Sequence, residues 1–111
     1  MVIMFQNEKS RNQLLAYGHV YTFRGKPRKT GSDWANTGRG TKKICDVLIA
    51  SVRNVRSPQD LKPYVKHSGF KNITEWIEAI RQMYKLPGTT PITAITHGVL
   101  YHVAMRENVK K

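Results

Sequence analysis

The spacing of apolar positions changes several times along the chain, and each change predicts an element. Val2 to Phe5 is a short branched apolar run, read as a strand. Gln6 and Asn7 lead into EKSRNQLLAY, where good helix formers place Arg11, Leu14 and Leu15 on related faces. Gly18 ends that helix, because a left-handed residue closes a last turn most readily when it has no Cβ. His19 to Phe23 (HVYTF) is β-branched and aromatic and predicts a second strand. Ile44 to Val55 (ICDVLIASVRNV) is the longest strand signal. Its apolar positions do not keep one alternating register through Val52, so a bulge or bend is expected near Ala50 and Ser51.

Ser57 and Pro58 have the order of a helix start, a capping side chain followed by a residue whose missing amide hydrogen is not needed, with Asp60 in the first turn. Pro63 keeps that helix short, and Ser68 and Gly69 close it. Asn72 to Lys85 is the clearest helix: Asn72 and Glu75 have capping-box spacing, and Ile73, Trp76, Ile77, Ile80 and Tyr84 form one apolar stripe. Trp76 is therefore expected in the core. Leu86 to Pro91 is turn-forming. Ile92 to Met105 reads as one strand with a glycine kink or two short strands meeting near His97 and Gly98, and 106–111 as a frayed tail.

The order of elements predicts an α+β fold in which strands distant in sequence pair. At 111 residues the chain is expected to be one domain over 1–111, with a single ordinary core.

Charge sharpens the picture. Nineteen Lys and Arg against seven Asp and Glu leave +12, and seven of those cations lie between Arg24 and Lys43, in RGKPRKTGSDWANTGRGTKK. A flexible basic loop over 24–43, carried between two strands, points to a polyanionic partner. One cysteine, Cys45, excludes an intramolecular disulfide framework, and the apolar start MVIMF is too short for a signal peptide or a membrane span. The expectation is a cytoplasmic, monomeric protein with no membrane association and an inert Cys45.

Several of these segments together resemble the ASCH domains, small RNA-associated β-barrel modules of the PUA-like superfamily. The resemblance lies in the helix ending at Gly18, the strand VYTFR, a variable loop, the long strand Ile44 to Val55 and a short helix. It continues through YVKHSGFKNITEWIEAI (Tyr64 to Ile80) and a closing strand with Val99, Leu100, Tyr101, His102 and Val103. It implies a small PUA-like mixed β-barrel with helices packed at its ends. Gly18, Thr22 and Arg24 match positions of the family signature, and Arg24 would line its pocket. Some relatives are nucleoside amidohydrolases that act on acetylated cytidine through a lysine, a threonine and a glutamate. Here His19 or Val20 stands where the lysine would be, and Ser51 to Arg56 contains no carboxylate. Other relatives are described as ribonucleases.

The residues themselves favour RNA or single-stranded DNA, bound through Arg24, Lys26, Arg28, Lys29, Arg39, Lys42 and Lys43, each phosphate contact releasing counterions. Gly25, Gly31, Gly38 and Gly40 either bring backbone amides close to phosphate or only loosen a surface loop. Trp34 either folds onto the core or offers a stacking face to a base. Arg53 and Arg56 either extend the basic surface into a cleft beside Arg24 or face solvent. Two alternatives remain open: a metal-independent ribonuclease or amidohydrolase, for which His19, Tyr21, Thr22, Arg24 and Lys43 are the catalytic candidates, and an adaptor docking on an acidic protein or a ribonucleoprotein. His97 and His102 find no acidic or cysteine partner nearby in sequence, so neither a metal site nor a cofactor is expected.

Overall fold

The computed structural model describes residues 2–5, 7–25, 28–38, 40–83 and 98–106. The expected strand over 92–97, the turn at 86–91, the end of the long helix and most of the tail lie outside them. Five strands, β1 (Val2–Met4), β2 (His19–Arg24), β3 (Gly31–Asn36), β4 (Cys45–Val55) and β5 (Gly98–Met105), form one mixed sheet in the order β1-β3-β4-β5-β2. Only β1 and β3 run parallel. The sheet curls into a half-barrel, and together with helices α1 (Glu8–Tyr17) and α2 (Ile73–Met83) it makes an α+β fold. Among the described residues no helix is long and apolar enough to cross a membrane.

The caps that were legible in the sequence hold both helices. The Asn7 side chain accepts from the Lys9 and Ser10 amides at 2.9 and 3.2 Å, and Gly18 closes α1 at φ 82°. Asn72 accepts from the Glu75 amide at 2.8 Å at the start of α2. Between β4 and α2 the expected single helix is instead two 3-10 turns, Pro58–Asp60 and Lys62–His67. Ser57 makes no side-chain cap there; Asp60 takes over by accepting from the Arg56 amide at 2.9 Å. Pro63 forces the change, since its nitrogen has no hydrogen to donate to an α-helical bond.

Burial alternates along the strands and produces two cores. Ile3, Phe5, Val20, Ala35, Val47, Ile49, Val99, Tyr101 and Val103 fill the concave side, and α1 adds Leu14. On the convex side Phe23, Val55 and Leu100 meet Leu61, Phe70, Trp76, Ile77 and Ile80 of the turns and α2. Leu15, expected beside Leu14, is exposed, because one step along a helix turns a side chain by about 100°. The irregularity expected in the long strand falls at Val52, between Ser51 and Arg53.

One correction alters the functional picture. Residues 24–43 are not a continuous flexible loop, because Gly31–Asn36 is an inner strand of the sheet, paired with β1 on one side and β4 on the other. Its sequence GSDWAN has little β propensity, and its pairing is imposed by the strands that flank it.

Candidate nucleic-acid interface

The basic segment divides into cations that build the fold and cations that face solvent. Arg24 sits on the concave face, with its guanidinium 5.1 Å from the Phe5 ring centroid and Nη1 donating to the Met4 carbonyl at 3.0 Å. Arg28 forms a 2.7 Å ion pair with Asp33, the two side chains only 16% and 6% exposed. Its backbone amide donates to the Tyr101 hydroxyl at 2.7 Å. Both arginines therefore brace the barrel wall. Lys29 and Lys42 are exposed, and Lys43 is exposed while paired with Asp46 at 3.1 Å. Lys26 and Arg39 lie outside the described residues.

The glycines do not leave a ring of open amides. After β3 the Thr41 hydroxyl accepts from the Thr37 and Gly38 amides, each at 3.2 Å, and donates to the Gly38 carbonyl at 2.7 Å. Those two amides are thus engaged within the loop. Nor do Arg24 and Arg53 share a cleft. Their strands meet at the same end of the sheet through Val99 and Leu100, but Arg24 is on the concave side and Arg53 on the convex side. Arg53 pairs with Asp60 at 3.1 Å, and the Arg56 side chain is exposed.

Strand alternation assembles a different surface on the convex side. His19 and Tyr21 of β2, His102 and Ala104 of β5, Leu48 and Ala50 of β4 and Ser32 and Trp34 of β3 point the same way, as the cross-strand pairs Tyr21 with His102, His102 with Ala50, and Ser32 with Leu48 require. Leu48 is 52% exposed, and Trp34, Tyr21, His19 and His102 are partly exposed. Trp34 thus lies on the sheet face opposite the concave core.

The second 3-10 turn completes a ring cluster at one side of this face. His19 lies 4.7 Å from His67 and 5.2 Å from His102 between ring centroids, and Tyr21 lies 4.9 Å from Tyr64 and 5.0 Å from His102. His19 Nδ1 and His102 Nε2 are 3.1 Å apart, so one ring donates a proton and the other accepts it. Burial, and then the positive charge that His19 and His67 would carry, hold His102 below its ordinary value of 6.5. Lys62 and Lys66, on the same turn as Tyr64 and His67, are exposed.

The five catalytic candidates separate. His19 and Tyr21 join the ring cluster; Thr22 is buried on the concave side with Arg24, and Lys43 stands by Asp46 at the far end of β4. Sequence reasoning missed Tyr64 and His67, whose signal was an aromatic and a histidine three residues apart inside YVKH, on one edge of a 3-10 turn. Among the described residues no group of three His, Cys, Asp or Glu is arranged to hold a metal ion. Burial and then the neighbouring Asp46, against the opposing pull of Lys43, raise the Cys45 pKa and keep it a thiol. No protein-family model matches the chain, and no curated protein or solved structure matches it.

Proposed function

We propose that this protein binds single-stranded nucleic acid, RNA or single-stranded DNA, across the convex face of its sheet. The observation that carries the reading is the partly exposed set of rings, Trp34 on one side and His19, Tyr21 and His102 on the other, flanking Leu48, Ala50 and Ala104 in a chain of net charge +12. Unpaired bases stack on such rings, and small residues between them let a base lie close to the sheet. Lys29, Lys42, Lys62 and Lys66 supply phosphate contacts around it. The reading keeps the chain with the RNA-associated, PUA-like ASCH domains its sequence resembles, but extends the contact surface from the 24–43 segment, which still contributes Lys29, Trp34 and Lys42, across the convex face of the sheet.

Single-stranded RNA, single-stranded DNA and both duplexes, compared at two salt concentrations, test it. Tighter binding of single strands, weakened by salt and by neutralising Lys29, Lys42, Lys62 and Lys66, is expected. Absence of binding at low salt would overturn the proposal, and copurification with a protein that survives nuclease treatment would favour an adaptor instead.

A metal-independent ribonuclease is the second reading, favoured by the hydrogen-bonded His19 and His102 pair, one ring placed to accept a proton and the other to donate one. Labelled RNA incubated with chelator separates it from binding alone: discrete products support it, and intact RNA removes it. The amidohydrolase alternative relied on Thr22, and the burial of that side chain leaves no observation in its favour.

A further inference from the structure

We infer that His19, His67 and His102 form a seat for a phosphoryl oxyanion, and that filling it draws protons onto the imidazoles. The inference rests on the nucleic-acid reading and names the group that this part of the face would hold.

Three imidazoles drawn from three separate elements converge here. β2 brings His19 and Tyr21, β5 brings His102, and the second 3-10 turn brings Tyr64, Lys66 and His67. The neighbour from β4 opposite His102 is Ala50, and α1 contributes Gln13, whose amide donates to the His19 carbonyl at 3.2 Å. The charges acting on His102 come from His19 and His67, and among the described residues no carboxylate acts on it. Asp60, on the first 3-10 turn, is committed to Arg53 and the Arg56 amide.

Burial, and then the positive charge that His19 and His67 would carry, oppose protonation of His102. An oxyanion reverses that balance, because a positive ring beside it gains a charge-assisted hydrogen bond. Tyr21 and Tyr64 belong to the same ring cluster, and Lys66 is exposed on the turn that carries His67, so this part of the face also carries hydroxyl and ammonium donors. A metal ion would ask the opposite of these rings, that they stay neutral, and no metal-holding group is present among the described residues. Both a backbone phosphodiester and a terminal phosphate offer the required chemistry.

The test is a proton NMR titration of the histidine ring signals in the full chain, from about pH 5 to pH 8. It is run alone, with inorganic phosphate, and with a short oligouridylate with or without a 5′-phosphate. Ligand should raise the titration midpoints of His19, His67 and His102, and affinity should rise as pH falls, by about tenfold per pH unit for each proton taken up. A response that needs the 5′-phosphate assigns the seat to a terminal group, and a response to both oligonucleotides assigns it to the backbone.

His19→Gln and His102→Gln, which each remove a ring of the proposed face, should weaken binding and also lose its pH dependence. Should those variants fail to fold, the titration of the unaltered chain still decides. Unmoved midpoints in the presence of bound oligonucleotide would overturn the seat and leave the nucleic-acid reading standing. Raised midpoints with phosphate, but no oligonucleotide binding at any pH, would keep the seat and remove that reading.

Discussion

Arg24 reaches from β2 to the carbonyl oxygen of Met4 on β1, joining the two outermost strands of the sheet through a side chain at 3.0 Å. Arg24→Met should lose about 1.5–3 kcal/mol in urea unfolding, the scale of a hydrogen bond from a charged donor. Arg24→Lys should recover part of that loss. The salt dependence of nucleic-acid binding should be unchanged in both, since this guanidinium is spent inside the barrel.

Arg28 and Asp33 form the most enclosed ion pair described, and single and double replacements should behave differently. Asp33→Leu alone takes the counter-charge from a largely enclosed guanidinium and should lose about 3–5 kcal/mol, while Arg28→Met combined with Asp33→Leu should restore most of it. Denaturant midpoints of the three variants check this. An arginine that resembles a phosphate contact in the sequence would thereby register as a stability residue.

Gly69 has φ 92°, and a Cβ there would fall on the Lys9 carbonyl of α1. Gly69→Ala should lower the melting temperature more than Gly18→Ala, whose added carbon meets open space and leaves only the left-handed backbone strain of about 1–3 kcal/mol. The pair separates strain from collision.

Stability should fall on acidification through the histidine range. His102 binds its proton less readily folded than unfolded, so its contribution is complete above the ordinary value of 6.5 and is lost as pH falls through the lower folded value. The Glu75 carboxyl is lowered, first by its 2.6 Å hydrogen bond from Lys9, and its contribution disappears at more acid pH, as that carboxyl protonates. Urea midpoints measured across this range should decline in two stages, and His102→Gln should remove the first.

Trp34→Ala should weaken single-strand binding by about 1–3 kcal/mol, the value of one stacked base, with the salt slope unchanged. Lys42→Gln should do the reverse, flattening the salt slope. Fluorescence anisotropy over a salt series distinguishes the two.

The elements legible in the sequence were those with local signals. Asn7, Gly18 and Asn72 act on residues within one turn of themselves, and the α2 stripe is periodic in its own right. β3 was not legible, because its strand character comes from β1 and β4 rather than from GSDWAN. The ring cluster was half legible: His19 and Tyr21 stood out beside the basic segment, but their partner His102 lies 83 positions from His19 along the chain. The reading of Arg24 and Arg28 as phosphate contacts did not anticipate Met4 and Asp33 for a different reason: charge composition does not reveal whether a cation turns toward the fold or toward solvent.

The strand order also dictates when the fold can form. Among the described residues β2 has β5 as its sole ladder partner, and β5 separates it from β4, so the second strand to be synthesised waits for the fifth. Until Gly98–Met105 arrives, Val20 and Phe23 have no sheet to join, and the concave core lacks Tyr101 and Val103. Such non-local closure makes folding slow and leaves a sticky intermediate exposed during translation. A chain stopped before β5 should therefore collect as aggregate rather than as a smaller folded unit.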